Sequence, residues 1–344
     1  MMLNYVLRKC YLLIFVTLGV TIFAFSLNYL FPGDVLSNMT GNLNISPELR
    51  QILSEEYRLD QNVIFQYFAY IHRITNGDWG VSFINDTSIF NQVFHALPAT
   101  IELAVYALLY SFIVALPLGI LASDSNRPWL DKPILALSLI GFSMPIFWLA
   151  LIMILIFSIN LGWFPVSGRL SLIYDIPVTT GFMLVDIWIS ELPYKMEAML
   201  DALKHLIMPT FVLAAYPTTV LIRTTRQSMQ NVLDTSYVKA AKAKGLSNFQ
   251  VLKRHALRNG LLPVIQMLGI HFGTLITLAM VTEVIFSWPG IGLWLVDAIH
   301  QRDYPAIQGG LMVMSGMVFV ATIIFDVIYM IFDPLARRHG HGKI

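Results

Sequence analysis

The stretch Ile101-Glu-Leu-Ala-Val-Tyr-Ala-Leu-Leu-Tyr-Ser-Phe-Ile-Val-Ala-Leu-Pro-Leu-Gly-Ile-Leu121 carries one charged side chain, Glu102, at its second position. A helix of about 20 such residues crosses the hydrocarbon core of a bilayer. Five more runs read the same way: Cys10–Phe31, Ile134–Ile159, Leu206–Ile222, Leu261–Val284 and Gly310–Phe332. Only helices and closed barrels satisfy the backbone in lipid, and these runs lack the alternating polar residues of barrel strands. The 344 residues are 56% hydrophobic and 12% charged, with mean hydropathy +0.67, whereas soluble domains carry about 25% charge. The expected fold class is an all-α polytopic membrane protein with six transmembrane helices. The single cysteine, Cys10, excludes a disulfide framework within the chain.

Six spans put both termini on one side, and the basic residues say which. With the N-terminus inside, Arg8, Lys9, Arg127, Lys132, Arg223, Arg226, Lys239, Lys242, Lys244, Lys253, Arg254, Arg258, Arg337, Arg338 and Lys343 face the cytoplasm. Asp34, Glu48, Glu55, Glu56, Asp60 and Asp78 fall on the other side. The short basic loops favour cytoplasmic termini. Arg8 and Lys9 before an apolar run also fit a signal peptide, but the run continues through Leu30 and Phe31, so an uncleaved anchor is expected. The chain then divides into an anchor (1–32), a periplasmic segment (33–98), a five-span transmembrane domain (99–333) and a cytoplasmic tail (334–344).

The most informative loop, 234–260, reads as two short helices around a corner. Asp234, Thr235 or Ser236 can cap the first, whose interior is alanine and lysine. Gly245 suits a left-handed position just past its end, and Ser247 can cap a second helix ending near Asn259-Gly260. Val238 and Ala241 share a face of the first helix, Phe249 and Leu252 a face of the second. A basic loop touching anionic lipid would show the same lysines. The capped helix–glycine–helix corner with paired apolar faces favours a docking protrusion for a cytoplasmic partner.

Ala240-Ala241 with Gly245 four residues on resembles the "EAA" coupling loop of binding-protein-dependent ABC importers, with Lys239 in place of the glutamate of that name. Tyr237, Leu246, His255, Asn259 and Pro263 extend the resemblance toward the peptide/nickel permease branch. So do Gly77-Asp-Trp-Gly-Val-Ser82, Pro98–Leu103, Phe142–Trp148, Gly162–Gly168, His205–Pro209, Glu283–Gly292, and Asp326 with Asp333-Pro334. Within that branch, the dipeptide permeases and the Sap-type peptide transporters are most similar. The resemblance implies a type I importer permease fold with cytoplasmic coupling helices in a bacterial inner membrane. It implies a pore shared with a second, homologous permease subunit, two cytoplasmic ATPase subunits holding ATP and Mg²⁺, and a periplasmic solute-binding protein. No cofactor on this chain and no nucleic-acid partner are implied.

The remaining candidates concern the pore. Glu102 and Glu283 lie at the outer ends of their spans, where water is expected to reach them; Asp326 is deeper in the last span. Pro145, Pro209 and Pro217 are expected to bend their helices. Trp288-Pro289-Gly290-Ile-Gly292 reads as a tight outside turn, and Pro145, Glu283, Pro289, Gly290 and Asp326 are the pore or gating candidates. No Gly-x4-Gly-Lys-Ser/Thr loop, His-Glu-x-x-His or cysteine pair occurs, so ATP hydrolysis is expected on another chain. An ion-coupled secondary transporter is the alternative; of the acidic relays it would need at mid-membrane, only Asp326 approaches one.

Overall fold

The computed structural model describes residues 2–42, 45–124 and 128–332. The expected tail, with Arg337, Arg338 and Lys343, lies outside the described residues, as does Arg127. The elements in order are α1 (Met2–Leu30), α2 (Val35–Thr40), α3 (Pro47–Glu56), α4 (Val63–Thr75), α5 (Ile89–Ser123), α6 (Pro128–Ser143) and α7 (Ile146–Met153) with a π-helical continuation Ile154–Asn160. Then come α8 (Met183–Ile189), α9 (Lys195–Leu233), α10 (Ser236–Ala243) and α11 (Asn248–Val251), which continues as a π-helical segment Leu252–Ala256. The chain closes with α12 (Leu257–Gly260), α13 (Leu262–Ile285), α14 (Ile291–Gln301) and α15 (Tyr304–Phe332). Among the described residues, β pairing is confined to one bridge, Val81 to Ser88.

Four helical stretches are long and apolar enough to cross a membrane: Ile89–Ser123, Lys195–Leu233, Phe249–Ile285 and Tyr304–Ile331. Among the described residues, α1 contributes a shorter apolar helix, Ile14–Leu30. The expected third span, Ile134–Ile159, is not one rod: Trp129–Ser143 and Ile146–Asn160 meet at 101°. Pro145 supplies no N–H, and a residue before proline is pushed out of helical geometry. Pro145 itself is extended (φ −57°, ψ 135°), and its carbonyl restarts the helix by accepting from Trp148 and Leu149 at 3.0 and 3.1 Å. By contrast, α9 runs without a break through Pro209 and Pro217.

The core forms around α5 and α9. Ala99, Leu103, Ala107, Ser111, Ala115 and Gly119 recur every four residues on α5 and are all buried, the small-residue stripe that lets helix backbones approach in lipid. A methyl group on Gly119 would sit 2.5 Å from Thr225 Cβ and 2.9 Å from the Ile222 carbonyl, so the two helices touch there. The Thr218 hydroxyl donates across the pair to Ser111 at 3.1 Å. Phe272, Leu275, Ile276 and Ala279 of α13 complete this core with Trp288 and Ala321. Helix α9 is central, with 67% of its apolar window buried, whereas α15 is peripheral at 6%.

One ion pair ties the bent pair to this centre. Arg226 of α9 reaches Asp131 of α6 through both Nε and a terminal nitrogen, each at 2.6 Å. Lysine cannot reproduce that fork. Arg226→Lys is therefore expected to lose about 1 kcal/mol, because both side chains remain partly wetted. Thermal unfolding in detergent checks this; an unchanged melting temperature would refute it.

Candidate functional site

At one end of the bundle, α9 turns through Asp234-Thr235 into α10. Thr235 occupies the N-cap position, yet its hydroxyl donates back to the Val232 carbonyl at 2.6 Å, so none of the three expected capping side chains caps this helix. The other end of α10 follows the expectation closely. Gly245 has φ +85°, its N–H donates to the Lys242 carbonyl at 2.9 Å, and the Leu246 N–H reaches the Ala241 carbonyl at 3.4 Å. These two bonds make a Schellman cap. Ser247 then starts α11 with a reciprocal capping box: its hydroxyl accepts from the Gln250 N–H at 3.3 Å, and the Gln250 side chain accepts from the Ser247 N–H at 3.0 Å.

The corner has its own small core: Val238, Ala241 and Val251 are buried against Val232, Leu233 and Leu246. Phe249, expected on this face, is instead 70% exposed, and Leu252 is half-buried. The angle set by the two caps turns Val251, one turn after Ser247, toward α10. The second helix closes at Gly260, as the sequence suggested, but only Leu261 separates it from α13. With the π-helical segment between, Phe249–Ile285 forms one helical stretch. Gly260 is small for packing: a methyl there would collide with Met229 Sδ of α9, and the Ser228 hydroxyl donates to the Gly260 carbonyl at 2.8 Å.

Of the seven coupling-loop candidates, the structure brings Tyr237, His255 and Asn259 together. The Asn259 amide donates to the Tyr237 hydroxyl at 3.0 Å, and the His255 ring stands edge-on to Tyr237 at 6.4 Å. Ala241 and Leu246 belong to the corner's core. Ala240 and Gly245 are exposed, and nothing lies within 4 Å of a methyl group built on Gly245. The result is a folded protrusion presenting Tyr237, Ala240 and Phe249 amid Lys239, Lys242 and Lys244.

The pore or gating candidates do not share one place. Glu283, Pro289 and Gly290 meet at the opposite end of the bundle. The expectation that Glu283 is wetted is wrong: it is 0% exposed. It accepts from the Thr100 hydroxyl at 2.6 Å and from the Leu293 N–H at 3.1 Å, while Thr100 Oγ1 accepts from the Ile291 N–H at 2.8 Å. Helix α14 begins at Gly290, which has no side chain to cap it, so Thr100 of α5 and Glu283 of α13 satisfy its first N–H groups. That arrangement accounts for the two glycines: a methyl on Gly290 would strike the Glu283 carboxyl, and one on Gly292 would lie 2.6 Å from Met280 Cα. Pro289 is exposed beside Trp288, whose indole is buried and donates to the Ala99 carbonyl at 2.9 Å.

Pro145 sits apart, at the break of the third span, over a crevice of 620 Å³ lined by Leu139, Ile140, Ser143, Met144, Phe147 and Trp148. Asp326 is also apart, half-buried on α15 next to Phe325, which packs on Phe272 and Gly269. It lies 22 residues beyond Tyr304, about 33 Å along the helix.

One side chain of this end, Arg169, was not picked out from the sequence, and its partner was misread. Glu102, expected in water, is 4% exposed and ion-paired with Arg169. The Arg169 guanidinium also donates to the Gly181 carbonyl at 3.0 Å and lies 5.4 Å over the Trp288 ring. The loop containing Gly181 is tied by Asp186, which accepts from the Thr180 N–H and hydroxyl at 2.7 and 2.6 Å and from the Gly181 N–H at 3.0 Å. Burial pushes the Asp186 carboxyl up, but these hydrogen bonds outweigh it and hold the group below its ordinary range. The signals in the sequence were Glu102, the one charge in its apolar stretch, and Arg169, a basic residue on the side where fewer occur.

Comparison with known proteins places this architecture. Residues 115–338 match the family described as binding-protein-dependent transport system inner membrane component, and residues 2–104 match that family's N-terminal region. The di/tripeptide transport system permease DppB of Pseudomonas aeruginosa (strain UCBPP-PA14) is 40% identical over 337 residues, 98% of this chain and 99% of that protein. SapB is 40% identical over 341 residues, 99% of each chain, in two organisms: in Salmonella typhimurium LT2 it is named for peptide transport, in Escherichia coli K12 for putrescine export. Among solved structures, the inward-facing MetNI methionine ABC transporter covers 68% of this chain and 93% of its own, with TM-score 0.51 at 14% identity, a likeness of fold. The chain belongs to the family of binding-protein-dependent transport system inner membrane components: it is the permease subunit of an ABC transporter, not an enzyme.

Proposed function

We propose that this permease carries peptides into the cell, and that the corner spanning Ser236 to Gly260 docks on a cytoplasmic ATPase. The observation that carries the docking role is the corner's construction. A Schellman cap, a reciprocal capping box and a private core fix its shape, while Tyr237, Ala240, Gly245 and Phe249 stay exposed. A rigid shape with an uncovered surface suits a partner's groove. His255 and Asn259 position Tyr237 from the second helix, and Leu246 anchors the turn. The complex in this reading has a second homologous permease subunit, two ATPase subunits binding ATP and Mg²⁺, and a solute-binding protein at the opposite face. The chain crosses the inner membrane with both termini in the cytoplasm. Within it, 1–32 is the anchor, 33–98 the periplasmic segment, 99–333 the transmembrane domain and 334–344 the tail.

The mechanism is a population shift. ATP closes the ATPase pair; the corner, continuous with α9 and α13, passes that movement to the central spans and favours one orientation of the pore. Glu283 and Gly290 hold the far end of α13 against α14, Pro145 stands at the break of the third span, and Asp326 lies on α15 beside the contact of Phe325 with α13. Peptide is the substrate class because the relatives named for di/tripeptide and peptide transport match over nearly the whole chain. The putrescine-export name of one relative makes direction part of the test.

The experiment is mild-detergent purification of the tagged chain with ATPase assay of the eluate, then peptide uptake in vesicles of known sidedness. A co-purifying ATPase and second permease, lost on mutating Ala241 and Gly245 together, with ATP-dependent movement inward, is the expected result. Solute movement by the chain alone, without an ATPase, would overturn the reading in favour of ion-coupled transport.

A further inference from the structure

We propose that the uncovered face of α13 lines the path of the transported solute, and that Tyr216 and His271 offer it hydrogen bonds midway along that face. The inference rests on the reading of the chain as half of a peptide pore.

The exposed positions of α13 form one line. They are Pro263, Gln266, Ile270, Thr274, Thr277 and Val284, which recur at helical spacing. From first to last the line runs about 32 Å along the helix, the thickness of a bilayer core. It joins the corner to the α14 turn. Helix α15 closes one flank, where a methyl on Gly273 would meet Val318 at 3.4 Å; α9 closes the other, where His271 meets Tyr216.

Two other surfaces of the same molecule show what this line is not. In α5 between Ile101 and Leu121, and in α15 as far as Ile331, every exposed residue is apolar, as acyl chains require. Where α5 packs on α9, the residues are small, Ala107, Ser111, Ala115 and Gly119 among them, as close-packed helices in lipid need. The α13 line is neither. Gln266, Thr274 and Thr277 are polar, and Gln266 and Ile270 are too long for a second helix to approach closely. The Thr277 hydroxyl is satisfied by the Gly273 carbonyl at 3.2 Å, but the Gln266 amide and the Thr274 hydroxyl make no hydrogen bond among the described residues. Thr274 and Thr277 fall within about one turn of the middle of α13. Uncovered polar groups at that depth belong against water.

Beside the line, Tyr216 and His271 share a hydrogen bond at 3.2 Å through Nδ1, and Phe142 of α6 stacks on Tyr216 at 5.7 Å. None of the three is buried. Tyr216 occupies one nitrogen of the imidazole, which leaves Nε2 for a ligand. Amide, hydroxyl and imidazole groups both donate and accept. That matches the alternating N–H and C=O groups of a peptide backbone and asks nothing of its side chains. A polyamine, which as a cation only donates, would call for carboxylates in their place.

Thr274→Cys and Thr277→Cys, each on a Cys10→Ala background in the full transporter reconstituted in vesicles, test this. The rate of modification by a charged, membrane-impermeant methanethiosulfonate is measured against Ile113→Cys on α5 and Ile324→Cys on α15. It is read without nucleotide and with ATP plus vanadate, so that both orientations of the pore are sampled. Positions 274 and 277 are expected to react about tenfold faster than 113 and 324 in at least one state, because only a thiolate in water reacts. A tripeptide is expected to slow them. Rates no faster than the references in both states would place the face against lipid or the second permease subunit and overturn the proposal. Peptide uptake by the Cys10→Ala parent in the same vesicles keeps the two readings apart. Slow labelling beside intact uptake sinks this inference alone. Fast labelling that peptide does not slow, in vesicles that take up none, keeps the water path and overturns its assignment to peptide. Cysteine is close to threonine in size and both sites are exposed, so the substitutions spare the packing; Ile270→Cys replaces either variant that fails to assemble.

Discussion

Replacing Glu283 by alanine is expected to destabilise the detergent-solubilised protein by about 3 kcal/mol, counting buried donors left without acceptors at about 1–3 kcal/mol each. The side chain is fully buried and serves two other helices: it accepts from Thr100 of α5 and from the Leu293 N–H at the start of α14. Its loss strands both donors and opens a space beside Gly290 and Gly292, which no longer have a carboxyl to pack against. Relief from burying the carboxyl offsets part of this. Glutamine keeps one accepting oxygen but turns an NH₂ toward the second donor, so Glu283→Gln should fall between alanine and wild type. Melting monitored by size-exclusion of the heated protein gives the ordering. An alanine variant that melts with the wild type would mean that α14 does not depend on its remote cap. The same variant bears on the pore role, because loosening α14 from α13 should reduce uptake more than it reduces assembly.

What the sequence revealed, and what it hid, divides by the range of the interactions. Gly245 and Ser247 were legible because a Schellman cap and a capping box are made within six residues, from chemistry that those residue types carry with them. The four stretches long and apolar enough to cross a membrane were legible because hydrophobic length is a local property. Glu283 was misread because its partner, Thr100, is 183 positions away, and Glu102 because Arg169 is 67 away; both carboxyls sit at span ends, where water is the ordinary expectation. Pro145 announced an interruption, but a proline fixes only a missing N–H and a neighbour's backbone. The 101° turn belongs to the packing of α6 and α7 on α9 and α13. For α9 the same residue type, twice, left the helix unbroken, since neighbouring helices hold it on both flanks. Phe249 was placed on the wrong side because the direction of the second helix depends on the corner angle, which no single residue specifies.

The corner and the α14 turn stand at opposite ends of α13, and this relation gives the second large expectation. Gly245→Val should insert and assemble normally while losing most peptide uptake, with ATP hydrolysis by the complex retained. At φ +85° a β-branched residue is strained by about 1–2 kcal/mol, and nothing lies within 4 Å of the new Cβ. The strain is relieved by letting α10 end elsewhere, which frees the Leu246 N–H from Ala241 and separates Val238 and Ala241 from Val251. A softened corner still carries the ATPase-facing surface, but it no longer pushes α9 and α13 as one piece. Asparagine tolerates left-handed backbone and should transport nearly as the wild type does; alanine should fall between. Uptake and ATPase rate measured on the three reconstituted variants separate the outcomes. Equal loss for asparagine and valine would place the effect in the glycine's surface rather than its backbone. Full uptake by the valine variant would mean that the corner's shape does not carry the coupling, because a β-branched residue strains the left-handed backbone on which that shape depends.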